Sequence, residues 1–204
     1  MVQHVALGER LYNMTNSQQD TPNHVRSARG LLASCLFIIG TVSVALPQPA
    51  LADTVTLPAA HDSWIDQNRP TQNKGTDAKL RVRSSGPIRR TLVQFNLASI
   101  PAGARITAAD LQLTFVSIKT TTGLTPRTYN ANRLTKPWVE STNGTLTGVT
   151  WNSANGLLWT TPGGDFVGPT ASSLTPLVRN YQPTHWDVTP DIAAFVAGTL
   201  PNYG

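Results

Sequence analysis

The chain has 204 residues and a formal net charge of +5, with 40% hydrophobic and 13% charged residues. That length favours one domain with an appendage, and the mild, scattered excess of base lacks the dense basic stripe of a nucleic-acid partner's surface. A single cysteine, Cys35, excludes a disulfide framework within the chain.

Arg26 and Arg29 precede the uncharged run "GLLASCLFIIGTVSVAL" (Gly30 to Leu46), and "PQPALAD" then sets Ala50, Leu51 and Ala52 ahead of Asp53. A basic segment, an apolar segment and an A-x-A site stand in the order of a secretory signal peptide. Residues 1–52 are therefore expected to be a leader cleaved near Ala52/Asp53. The domain at 53–204 is then secreted, extracellular or at the cell surface, with no membrane contact in the mature form. One alternative is a transmembrane anchor, for which the run is slightly short. The other is a lipoprotein, in which the apolar run would precede Cys35 of "LASC" instead of following it. Cys35 leaves with the signal, so stability must come from the core, helped by any bound ion.

From Asp53 onward strand signals dominate. "DTVTLPAA" (Asp53 to Ala60) alternates Val55 and Leu57 with threonines, and "KLRVRS" (Lys79 to Ser84) alternates Leu80 and Val82 with basic residues. Each has the pattern of a half-buried strand. "RRTLVQFNL" (Arg89 to Leu97) sets Thr91, Val93, Phe95 and Leu97 on one face, and "AADLQLTFVSIK" (Ala108 to Lys119) does so with Ala109, Leu111, Leu113 and Phe115. "ASIPAGARIT" between them is a long connection punctuated by Pro101 and Gly103. "RTYNANRLT" (Arg127 to Thr135) and "PTHWDVT" (Pro183 to Thr189) complete the strands, with turns at "SSGP", "TTTGLTP", "STNGT" and "TPGGD". One helix is expected, with Thr189 as N-cap, Pro190 at its first position, Asp191 complementing the positive end and Gly198 closing it. Many short strands with Gly- and Pro-bearing turns and one small helix predict an all-β fold, a two-sheet sandwich or jelly roll.

The ordered blocks "HDSWIDQNRPTQNKG", "LRVRSSGPIRRTLVQFNLASIPAGARITAADLQLTF", "NRLTKPWVEST", "VTWNSANGLLWTTPGGDF", "HWDVTPDIAAFVAG" and "PNYG" cover nearly all of Asp53 to Gly204. In that order they resemble the DNRLRE domain family, also classed as carbohydrate-binding module family 96. The resemblance implies a jelly-roll β-sandwich and a non-catalytic module of secreted proteins. It also implies a polysaccharide partner, for some members an acidic one such as alginate, beside a fused or neighbouring polysaccharide-degrading enzyme. Two departures stand out. The name-giving motif is reduced to the Leu and Arg of "LRVR". The sequence stops at "PNYG", where the family continues into a closing strand, so either the frame continues or that strand comes from elsewhere. Without it a sheet edge is bare.

Of the five tryptophans, Trp138, Trp151 and Trp186 are read as core, whereas Trp64 and Trp159, in loop-like segments, are candidates to stack on a sugar ring. Lys79, Arg81 and Arg83 alternate, so a strand would aim them from one face at a uronic-acid chain, whose carboxylates suit bidentate arginine. Lys74, Arg89 and Arg90 are candidate extensions of that patch, and a solvated outer face is the alternative. Asp62, Asp66 and Asp165 lie in turn-rich segments that could hold a structural calcium, the one cofactor considered. Asp165 could instead cap the Gly163-Gly164 turn. No catalytic residue is assigned: G-x-S-x-G and H-E-x-x-H are absent, and Glu140 is the sole glutamate after the leader. The expected function is a carbohydrate-binding module for an anionic polysaccharide. A structural or adhesive surface module, or less favourably a lyase or hydrolase, is the alternative.

Overall fold

The computed structural model describes residues 6–8, 12–13, 52–116, 126–140, 148–175 and 182–204. The apolar run from Gly30 to Leu46 and the turns "TTTGLTP" and "STNGT" lie wholly or mostly outside these residues. Among them, no helix is long and apolar enough to cross a membrane.

The elements in chain order are β1 (Ala6–Gly8), β2 (Tyr12–Asn13), β3 (Ala52–Asp53), β4 (Ala59–Asp66), β5 (Arg89–Phe95), β6 (Arg105–Ile106), β7 (Asp110–Phe115), β8 (Arg127–Leu134), β9 (Phe166–Thr175), β10 (Gln182–Asp187) and α1 (Thr189–Val196). All named pairings are antiparallel: β4 with β5, β8 with β9, β7 between β1 and β10, and β2 between β3 and β6. The fold is all-β with one short helix.

Strand β5 forms where the alternation predicts it, and it uses both faces. Leu92 and, across the ladder, Ile65 enter a core with Leu134, Trp138, Val149, Trp151, Ala154 and Trp159. Val93 and Phe95 point the other way, into a second core with Ala109, Trp186, Val188 and Ile192. Successive strand residues face opposite sides, so one strand walls two apolar clusters.

Three expectations change. The strand predicted over Asp53 to Ala60 is broken: Asp53 pairs within β3, the ladder with β5 starts at Ala59 after Pro58, which has no N–H to donate, and Leu57 between them packs on the second core. Lys79 to Ser84 form no strand. Arg83 makes one bridge to Arg89, and Val82, at 56% exposure, finds no apolar face to cover it. Thr189 is the first helical residue, not the N-cap, and its hydroxyl bonds the Asp187 carboxylate at 2.6 Å and accepts the Ala109 N–H at 2.8 Å. Pro190 does sit in the first turn, and Ile192 is buried beneath the helix.

The last residues fasten β5 to β8. Asn202 donates through Nδ2 to the Phe95 carbonyl, and its own carbonyl accepts Gln94 Nε2. The Tyr203 carbonyl accepts the Trp138 indole N–H, and the Gly204 carbonyl accepts the Leu134 N–H. Gly204 has φ +94°, and a Cβ there would collide with the Val93 carbonyl oxygen, so its backbone lies against β5 while bonding β8. A cavity of about 280 Å³ opens beside it, lined among others by Val93, Phe95, Leu111, Leu113, Tyr129 and Trp186.

Candidate functional site

Trp64 lies on β4 and faces the long β4–β5 connection. It is 3% exposed, and basic side chains make up much of its cover. The Arg81 guanidinium lies 4.9 Å from its ring centre, that of Arg89 5.4 Å and the Lys74 ammonium 5.6 Å. The indole N–H donates to Asp77 Oδ2 at 2.9 Å, which fixes the ring in its plane. A negative ring face attracts cations, so the sequence folds this connection back over its own tryptophan.

The connection is anchored at several points. Asp66, at the end of β4, accepts the Asn68 N–H and pairs with Arg89 Nε at 3.1 Å. Buried Asn73 donates to the Glu140 and Val149 carbonyls at 2.6 and 2.8 Å and accepts the Gly75 N–H. Arg83 exchanges backbone bonds with Arg89, and Arg81's carbonyl accepts the Thr91 hydroxyl. Gly86, at φ +70°, turns the chain. That positive φ favours glycine, whatever room the exposed Arg83 side chain leaves beside it.

Of the residues expected to contact ligand, the structure brings Trp64 and Arg81 together and adds Lys74 and Arg89. Lys79 and Arg83 are exposed on the same connection, held by a loop and not by a strand face. Arg90 departs from the group: one position along β5 from Arg89, it points to the opposite face, donates to the Gly163 carbonyl at 2.6 Å and covers Trp151 and Phe166. Burial lowers its pKa from the ordinary arginine value.

Trp159 is not a surface ring. It is 4% exposed in the first core, with its indole N–H on the Thr150 carbonyl. Trp64, too, is enclosed, so neither offers a bare face for stacking on a sugar. Trp138, Trp151 and Trp186 are buried, as the sequence reading has them.

The three acids considered for calcium stand in separate settings. Asp66 is paired with Arg89. Asp165 caps the turn as its alternative reading has it, accepting the Thr160 and Thr161 N–H groups at 2.9 Å each with Lys136 Nζ at 3.8 Å. Asp62 has its pKa raised by burial and by nearby Glu140. Among the described residues no group of three His, Cys, Asp or Glu side chains is gathered as a metal would need. Glu140 Oε2 lies 3.4 Å from His61 Nδ1, and His185 meets Asp110. Asp77 is the site residue that sequence reasoning misses, because a contact 13 positions apart carries no local signal.

A sequence model of carbohydrate-binding module family 96 matches residues 53–199, nearly the whole β-rich region. The chain belongs to carbohydrate-binding module family 96. No curated protein and no solved structure matches it. In this family-96 module the buried Trp64 gathers Lys74, Arg81 and Arg89 over its ring, with Lys79 and Arg83 exposed on the same connection.

Proposed function

We propose that the chain is a secreted, non-catalytic module that holds an anionic polysaccharide, such as alginate, on the basic surface over Trp64. The observation that carries this reading is the convergence of Lys74, Arg81 and Arg89 on one ring, with Lys79 and Arg83 exposed on the same connection. Guanidinium groups match carboxylates two bonds at a time. An arginine stacked by its face on an aromatic ring keeps its N–H fork in the guanidinium plane, where a uronate can reach it.

In this reading the module is cleaved near Ala52/Asp53 and keeps a fused or neighbouring polysaccharide-degrading enzyme near its substrate. Its architecture is a jelly-roll sandwich, a reading supported by the antiparallel β4–β5 and β8–β9 pairs that Asn202 to Gly204 join.

Affinity electrophoresis tests the function. The folded protein should be retarded in gels carrying alginate or pectate and not in gels carrying neutral glucans, and the retardation should fade with salt as exposed charges are screened. No retardation on any gel would sink the reading and leave a structural or adhesive module. Polysaccharides incubated with the protein should yield no product; product release lost in Glu140→Gln would instead mark an enzyme.

A further inference from the structure

Trp64 is positioned as no ordinary sugar-binding tryptophan would be. Its ring is buried and its N–H is tied to Asp77, yet three cations lie within 4.9 to 5.6 Å of its centre. We infer that Trp64 is the positioning residue of the anion site: it aims Arg81 and Lys74 by attracting them to its face, and Asp77 locks the ring that does the aiming. The inference rests on the polysaccharide reading and deepens it.

The physical case has three parts. Arg81 and Lys74 carry long side chains whose rotamer freedom must be given up to hold an anion, and a cation seated on a ring has already given up part of it. Arg89 is fixed independently by Asp66 at 3.1 Å, so it needs the ring least. The ring's attraction is electrostatic and belongs to aromatic faces. Phenylalanine therefore keeps it in part, whereas leucine, of similar apolarity, abolishes it.

The experiment compares wild type with Trp64→Phe, Trp64→Leu, Asp77→Ala and Arg81→Gln. An alginate oligosaccharide is the probe, titrated at several salt concentrations, with urea unfolding showing that each variant is folded. Trp64→Leu should bind roughly three- to tenfold more weakly, with Trp64→Phe in between. The salt dependence of both should match wild type, because no cation is lost. Arg81→Gln should weaken binding and flatten the salt dependence together, since one charge is gone. Asp77→Ala should weaken binding although it removes an anion beside the site and so steepens the salt dependence, and it keeps the test alive if Trp64→Leu does not fold; binding by Asp77→Ala as tight as wild type would count against the lock. Equal binding by the Phe and Leu variants, or Leu binding within twofold of wild type, overturns the positioning role while Arg81→Gln still upholds the polysaccharide site. A wild type that ignores the oligosaccharide overturns both.

Discussion

Replacing Asp165 with alanine removes the acceptor for two backbone N–H groups, those of Thr160 and Thr161, and separates Lys136 from its acid. Hydrogen bonds to a charged group contribute about 1.5–3 kcal/mol each, and deleting a capping side chain costs about 0.5–2 kcal/mol once water replaces it. The Asp165 side chain is 13% accessible, so the freed N–H groups recover only part of their bonding from solvent. A loss of about 2 kcal/mol follows, or about 4–8 °C in Tm for a domain of this size. Burial by itself would raise the Asp165 carboxyl, but the Thr160 and Thr161 N–H groups, the Thr160 side chain and Lys136 together hold it below its ordinary value. A carboxyl depressed in the folded state contributes stability above its unfolded value of about 3.9 and loses it as pH falls through the folded value. Thermal melts followed by circular dichroism should thus separate wild type from Asp165→Ala near neutral pH and narrow the gap in acid. A variant melting within about 1 °C of wild type would refute the cap. A wild type destabilised as much by chelator as by the substitution would replace the cap with an ion.

Gly163→Ala should be more damaging than a surface change. Its φ is +98° and the added Cβ would lie 2.6 Å from Arg90 Nη1 and 2.8 Å from the Trp151 ring, so urea unfolding should show a loss of about 2–4 kcal/mol. Trp159→Phe gives up the indole bond to the Thr150 carbonyl and some core volume, and should cost about 1–3 kcal/mol while leaving polysaccharide affinity unchanged. Asp62→Asn should stabilise the fold at neutral pH, because burial first and Glu140 second raise that carboxyl. A raised acid disfavours folding above its folded value, so the gain should shrink as pH falls, read as Tm against pH.

Strands β5 and β7 are legible because Val93 and Phe95, and Leu111, Leu113 and Phe115, recur at alternate positions and share the second core's side, although Leu92 of β5 is buried on the opposite face. Strand β9 is not. "FVGPTASSLT" offers no period, and its pairing with β8 makes it a strand, as β-propensity yields to context. Lys79 to Ser84 err in the opposite direction: the alternation is present, but the connection folds back over Trp64 and its backbone makes a single bridge, Arg83 to Arg89. The site divides the same way. Basic residues near Trp64 can be picked out as a group, but which of them meet the ring depends on how a long connection folds back. Arg89 and Arg90 are adjacent in sequence and part company only because a strand sends neighbours to opposite faces. Trp159 reads as a loop residue because its segment has no period. It is buried by the first core, which that irregular segment closes over β5 with Trp138 and Trp151.

Because Leu92 faces one core and Phe95 the other, neither cluster can open without stripping a wall from its neighbour. The domain should therefore melt in one transition in spite of having two centres of packing. The amides of β5 should exchange with solvent only through global unfolding, more slowly than those of either core's outer segments. A cation-bearing connection that begins and ends on β4 and β5 is thereby tied to the most persistent part of the molecule.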